Sequence, residues 1–289
     1  MPVAPSISAV APAAPATAYR LTDAQKAQYR EQGYLIGLPQ VFQPHELPGL
    51  RSGFDTLVKL LKPDEDPRDI REWHEHSRWL YDLCVDPRIL DLVEGLLGPN
   101  FFFWASNFFA KPPRSTATVG WHQDAYYWDL KPHNTVTVWI AFTDVDEGNG
   151  AMQVIPASQR SGIIQHTNAA DPNSVLHLQL EHGKFNVADA VSLNLNAGEI
   201  SIHDDNLIHG SPANPSDRWR IGLTVRYSGT NVKYGGAWDS RFRSYMARGV
   251  DTFGHNRQGE LPTQRFGRQP NKPEDRKETR DLTEFTGAR

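Results

Sequence analysis

The apolar positions of this chain change their period near Leu97. Before that point they recur at helical spacing. Thr22 suits an N-cap and Gln25, three residues on, completes a capping box, so a helix is predicted over Asp23–Gln32 with Gly33 at its end. Tyr34–Gly37 reads as a short strand. Leu50, Phe54, Leu57, Leu60 and Leu61 share one helical face, which predicts a second helix from about Pro44 to Lys62. Two shorter helices follow, His76–Val85 before Asp86-Pro87 and Arg88–Leu97 before Gly98-Pro99-Asn100.

From Phe101 the pattern is one of short apolar runs punctuated by Gly, Asn, Asp and Pro. Phe101–Ala110 reads as a buried strand, and Val136–Phe142, Ala151–Ile155, Val191–Leu195, Glu199–His203 and Ile221–Tyr227 as further strands. Many short strands at this spacing predict a sandwich or closed barrel. The fold class is mainly β with α: a double-stranded β-helix (jelly-roll, cupin-like) core with N-terminal helices packed on it. Ser161–Asn186 is long and polar, the mark of a functional loop or lid. The expected organisation is a disordered Ala/Pro-rich leader over 1–18, one domain over 19–254, and an extended polar tail over 255–289.

Composition narrows the function classes. Among 289 residues, 39% apolar content supports a sizeable core, and a net charge of −4 gives no general attraction to nucleic acid or anionic membrane. Cys84 is alone, which excludes an intramolecular disulfide framework and fits a reducing compartment. No apolar run approaches the roughly 20 residues that span a bilayer. Pro2, Pro5, Pro12 and Pro15 argue against a signal peptide, so the expected location is cytoplasmic.

The candidate chemistry centres on Trp121-His122-Gln123-Asp124. In a strand, residues i and i+2 face the same way, so His122 and Asp124 present an imidazole and a carboxylate side by side. With His209 from a distant strand they form the two-His, one-carboxylate set that binds Fe(II) on one face and leaves three positions open. The open positions suit chelation by 2-oxoglutarate, with one left for O2. Arg220 follows eleven residues after His209 (220 − 209 = 11), and its planar fork suits the far carboxylate of that co-substrate. Arg218 and Arg226 compete for this role, and Arg226 shares strand parity with Arg220. His203, Asp205 and His209 form a rival ligand set, although Asp204-Asp205-Asn206 reads as a turn. His74-Glu75-His76 reads as ordinary polar surface. Tyr126, Trp128 and Trp104, with Phe103, Tyr127 and Trp238, are candidates for a substrate pocket, and Asn107 is the lone amide of an aromatic strand.

Three segments together resemble one known family: Trp121–Asp124, Gly148-Asn149-Gly150-Ala151-Met152-Gln153-Val154-Ile155-Pro156, and His209-Gly210-Ser211 through Arg220. They are similar to the phytanoyl-CoA dioxygenases, Fe(II)/2-oxoglutarate oxygenases, over roughly Leu21–Tyr227. The resemblance implies His122, Asp124 and His209 as catalytic iron ligands, Arg220 as anchor of the 2-oxoglutarate 5-carboxylate, Ser211 as its helper and Trp139 as a further co-substrate contact. It implies hydroxylation of an unactivated C–H of a small-molecule metabolite, with succinate and CO2 released. The alternatives are desaturation, cyclisation or epoxidation by the same centre, or a non-catalytic cupin-like binder. Keeping Asp124 disfavours halogenation, because halogenating relatives replace that carboxylate. The chain departs from the family at Pro156-Ala157-Ser158-Gln159, where a PGSH-like turn is usual. No basic cluster suggests an acyl-CoA. Neither nucleic acid nor membrane is an expected partner, and oligomeric state is not legible.

Overall fold

The computed structural model describes residues 18–181, 183–236 and 241–270. Trp238, all but the last residue of the expected leader and the second half of the expected tail lie outside them. In chain order the elements are α1 (Asp23–Gln32), β1 (Tyr34–Leu35), α2 (Leu47–Val58), α3 (Arg78–Cys84), α4 (Pro87–Leu97), β2 (Phe101–Lys111), β3 (Val119–His122), β4 (Leu130–Lys131), β5 (Thr135–Ala141), β6 (Gln153–Val154), β7 (His166–Asn168), β8 (Leu178–Leu180), β9 (Val191–Ser192), β10 (Ile200–Asp204), β11 (His209–Ser211), β12 (Arg220–Gly229), β13 (Lys233–Tyr234) and β14 (Tyr245–Arg248).

Local chemistry explains the helix ends. Thr22 and Gln25 form the reciprocal capping box, and Gly33 takes the left-handed conformation (φ 82°) that stops α1. Ser77 and Asp86 cap α3 and α4. The second helix is shorter than its apolar face predicts. It begins at Leu47, with Pro48 in the first turn, and ends at Val58, because Leu60 and Leu61 fall in a following turn.

The strands assemble into an antiparallel six-stranded sheet, β1-β10-β5-β12-β2-β14, and a four-stranded sheet, β3-β11-β6-β9. This is the expected jelly roll. The strand predicted over Val191–Leu195 pairs only through Val191–Ser192, while Leu193 and Leu195 are buried beyond it. Ser161–Asn186 is not structureless: β7 and β8 form a hairpin within it.

Strand β12 is buried at every position, and its two faces do different work. Ile221, Leu223, Val225 and Tyr227 join the apolar layer under α2–α4, where Phe108 meets Phe54 (centroids 4.9 Å) and Phe142 (5.3 Å). Tyr227 also donates to the carbonyl of Cys84 at 2.8 Å, fixing sheet to helix. The alternate residues Arg220, Thr224 and Arg226 line a cavity on the other face.

The described part of the tail lies over the helical layer. The carbonyls of Gln264 and Arg265 accept from the amides of Arg78 and Trp79, two N–H groups that α3 cannot satisfy internally. Among the described residues no helix is long and apolar enough to cross a membrane. Phe108→Ala should cost about 3–5 kcal/mol of unfolding free energy in denaturant titration; a loss below about 1 kcal/mol would contradict the aromatic seam between sheet and helices.

Candidate active site

The register of two strands sets the centre. In the β3–β11 pair His209 lies opposite His122, and their ring centroids are 4.1 Å apart. Nδ1 of His122 bonds the carbonyl of Gly120 at 2.8 Å, and Nδ1 of His209 bonds that of Leu207 at 2.9 Å. With those nitrogens donating, each Nε2 keeps its lone pair for a metal. Burial, then the charges of His122 and His203, hold His209 well below the usual imidazole pKa, the neutral form a ligand needs.

Asp124 is not in the strand, as the alternation argument required. Strand β3 ends at His122 and Asp124 opens a 3-10 turn. Gln123 remains extended (φ −115°, ψ 127°), so the alternation persists and brings Asp124 Oδ1 within 3.6 Å of His122 Nε2. Gln123 is itself a clamp. Its amide donates to the carbonyls of Gly162 (2.8 Å) and Asn206 (2.7 Å) and accepts from Ile164 N (2.8 Å), while its backbone N–H donates to His166 Nε2 (3.0 Å). Burial would raise the pKa of Asp124, but Arg226 and the facing imidazoles of His122 and His203 prevail and hold it well below the carboxylate range.

Donor atoms of His122, Asp124 and His209 all lie within 4.8 Å of one another, the three residues are buried, and among the described residues no other such cluster occurs. Two imidazoles and one ionised carboxylate could hold Fe(II) with part of its sphere open. The rival set does not assemble. Asp205 turns to His133 (3.5 Å), whereas His203 stays beside the cluster with Nε2 3.8 Å from Asp124. His74 is buried against Ser106 (2.8 Å) and His76 bonds Gln269 (3.0 Å), away from the cluster.

The cavity beside the cluster reaches Arg220, Ser211 and Trp139. Arg220 is only 2% exposed, its Nη2 donates to Ser211 Oγ at 3.1 Å, and its Nε has no acceptor among the described residues. Burial lowers its pKa to about 10, so the guanidinium stays charged. Trp139 lies 5.6 Å from it. Gly222 makes room for that indole, since a Cβ there would come within 1.8 Å of the ring. Arg218, the neighbouring competitor, is exposed and bound to Asp146 at 2.7 Å.

Lys111 escaped the sequence reading. It pairs across β2–β12 with Arg220 and donates to Ser211 Oγ at 2.8 Å and to the carbonyls of Ser211 (3.3 Å) and Pro212. Accepting from both Lys111 and Arg220, the Ser211 hydroxyl has its own proton free for an anion. Strand parity was the available signal, because Asn107, Phe109 and Lys111 alternate along β2.

The remaining candidates disperse. Tyr126 stacks on His166 (4.0 Å, 19°) and Trp128 and Trp104 meet edge to face (4.9 Å). Both tryptophans line a separate hollow, with Glu72, Glu75, Tyr234 and Phe242. Asn107 bonds Arg226 rather than facing the cavity. In the unusual Pro156–Gln159 turn, Gln159 donates to the carbonyl of Arg30 at 3.1 Å, and Ser158 Oγ accepts from Ile208 N at 2.9 Å.

The jelly roll and its relatives define the class: this is a non-haem, iron- and 2-oxoglutarate-dependent oxygenase. The chain matches the phytanoyl-CoA dioxygenase (PhyH) family over residues 29–222 and belongs to that family. It is 24% identical over 237 residues to the peroxisomal phytanoyl-CoA dioxygenase of Bos taurus, covering 73% of this chain and 69% of the relative. Against the L-proline trans-4-hydroxylase of Streptomyces griseoviridis it is 25% identical over 231 residues, 70% and 85% of the two chains. The solved structure of the apo non-heme monooxygenase ThoJ shares its fold, with a TM-score of 0.73, 24% identity and 84% and 90% of the two chains covered.

Lys111 supplies a pH test. Burial, then Arg220 and Arg68, push its pKa down to about 6, so between that pH and its unfolded value near 10.4 it is mostly neutral in the folded protein. An incoming carboxylate favours the ammonium and raises the pKa. At pH 7.5, binding of 2-oxoglutarate to Ni(II)-loaded protein should therefore take up a proton, seen by calorimetry in buffers of different ionisation enthalpy. The uptake should fade below pH 6 and be lost in Lys111→Met; identical uptake in that variant would contradict the assignment.

Proposed function

We propose that the protein hydroxylates an unactivated C–H bond of a small-molecule metabolite. His122, Asp124 and His209 hold Fe(II), and Arg220, Ser211, Lys111 and Trp139 receive 2-oxoglutarate. One observation carries this reading. Three metal-competent donors line a cavity that also holds a buried guanidinium, with no carboxylate among the described residues ion-paired to it. Such a cation is stable in the interior only when an anion reaches it, and the fork of arginine matches a carboxylate.

With both bound, the centre supplies O2-dependent oxidation of a C–H bond coupled to decarboxylation of 2-oxoglutarate to succinate and CO2. The chain's own residues prepare that step. Gly120 and Leu207 carbonyls orient the two imidazoles, and Arg226 with His203 keeps Asp124 ionised. Arg220 and Ser211 fix the far carboxylate of the co-substrate, so that its keto-acid end points back to the ligands. Gln123, whose backbone N–H donates to His166 at 3.0 Å, and Tyr127, whose hydroxyl donates to the Leu178 carbonyl at 2.6 Å, tie the β7–β8 hairpin to the HxD segment. The names of relatives such as the proline hydroxylase support a small-molecule substrate, and the retained Asp124 supports hydroxylation over halogenation.

Arg220→Ala should raise the apparent KM for 2-oxoglutarate by on the order of a hundredfold or more, the scale of leaving a buried charge unpaired, while the metal stoichiometry holds. Succinate release under substrate screening measures this. An unchanged KM would move the anchor to another cation.

A further inference from the structure

A second buried guanidinium faces the same cavity, outside the set assigned above to the co-substrate. Arg226 lies six residues beyond Arg220 on β12 (226 − 220 = 6), so it shares the inward face. Its Cζ is 4.7 Å from the Trp128 ring and 5.9 Å from that of Trp104. With the Asn107 amide turned so that its nitrogen donates to the Ser106 carbonyl at 2.8 Å, its oxygen accepts from Nη1 at 2.7 Å. Nη2 approaches Asp124 Oδ1 only to 4.0 Å, beyond hydrogen-bond reach, and Nε has no acceptor among the described residues. Glu72, the other acid in its field, lines the separate hollow beyond Trp104 and Trp128.

Counting charge separates two roles for this group. If Arg226 served only Asp124, its guanidinium would be expected to close on the carboxylate, and it does not. The cavity is faced by two guanidinium groups, Arg220 and Arg226, and one carboxylate, Asp124. On the reading proposed above, a divalent metal and a dianionic co-substrate cancel each other, which leaves one positive charge over. Lys111 would only add to that excess on gaining a proton. An uncompensated buried cation is costly, and a bound anion removes the cost.

We propose that the substrate is an organic monocarboxylate with an apolar body, its carboxylate held by Arg226. A carboxylate supplies the single negative charge that neutralises the loaded site. A phosphate ester, at about −1.5 to −2, would overshoot. The body is apolar because Phe109, Val119 and Met152 supply the apolar part of the wall beside Thr224 and Gly210. Trp128 and Trp104 back the guanidinium and keep it from swinging away, so Asn107 and the two indoles position the receptor rather than touch the substrate.

The test is equilibrium binding without turnover. Oxygen-free protein loaded with Ni(II) and saturated with 2-oxoglutarate is offered matched pairs, phenylacetate and phenylacetamide, cinnamate and cinnamamide, hexanoate and hexanamide, with phenyl phosphate as a dianion. Saturation-transfer NMR and calorimetry read the binding. The acids should bind at least about tenfold more tightly than their amides, the scale of a charge-assisted fork. Arg226→Gln should remove that preference, compared at metal and 2-oxoglutarate loadings matched to the wild type by titration of each. Arg226→Lys, which keeps the charge and loses the fork, should keep part of it, and thermal unfolding of both variants verifies the fold. Amides binding as well as acids, no acid binding, or phenyl phosphate binding best would each overturn the proposal. So would loss of the metal in Arg226→Gln and Arg226→Lys alike, which would make the residue a partner of Asp124 alone. Failure of 2-oxoglutarate to bind the wild-type protein would instead remove the reading of the site on which the proposal rests.

Discussion

The pairing of His209 opposite His122 in two short antiparallel strands is the constraint on which the rest of the site depends. Side chains alternate with a period of two, so a one-residue slip between β3 and β11 would send one imidazole outward and dissolve the cluster. The fold defends this register from outside the strands. Gln123, the residue between the two HxD ligands, is fully buried and makes contacts to two separate segments, at Gly162–Ile164 and Asn206. The Ala125 amide donates to the Asp205 carbonyl at 2.7 Å, holding the turn that carries Asp124. These bonds are short, buried and made within the four-residue neighbourhood of the ligands, which is how a scaffold limits ligand positions to a few tenths of an ångström.

The second feature is an interior that carries more positive than negative charge. Arg220 and Arg226 are buried on the cavity side of the large sheet beside the amine of Lys111, and the opposite face of the same strands is an aromatic and aliphatic core. That arrangement has a physical logic. Packing of Leu223, Val225 and Tyr227 under the helices stabilises β12, and the stabilised strand then holds arginines in positions that would be unfavourable on their own account. The protein stores binding potential for anions in its ground state, and the strength of the core is what allows it. The same view explains Trp139 and Trp128: flat, weakly hydrated surfaces beside the guanidinium groups restrict their motion without competing for their N–H donors.

Much of this was legible in the sequence. Helix α1 followed from its capping box and terminal glycine, since a cap is a contact between residues three apart. The HxD pair, His209 and Arg220 were legible because the chemistry restricts the residue types so strongly, and the interior-facing parity of Arg226 could be read from Arg220. What stayed hidden was set by long-range pairing. Lys111, just before Pro112-Pro113, reads as an ordinary strand end until β2 is known to pair with β12, which puts it opposite Arg220. The β7–β8 and β13–β4 ribbons have two or three residues per strand, too few for a periodic pattern. The displaced start of α2 and the turn that carries Asp124 were hidden for the opposite reason: local propensity allowed the longer element, and packing chose the shorter one.

The proposed chemistry needs a metal held by two imidazoles and a carboxylate, with room beside it for a chelating keto acid. Anaerobic titration of the metal-free protein with Fe(II) and then 2-oxoglutarate tests this most directly, because the chelate absorbs weakly in the visible. The predicted result is a charge-transfer band that saturates at one iron and one 2-oxoglutarate per chain and is absent in His209→Ala and Asp124→Ala. Iron that binds without the band, or a band that survives both substitutions, would contradict it.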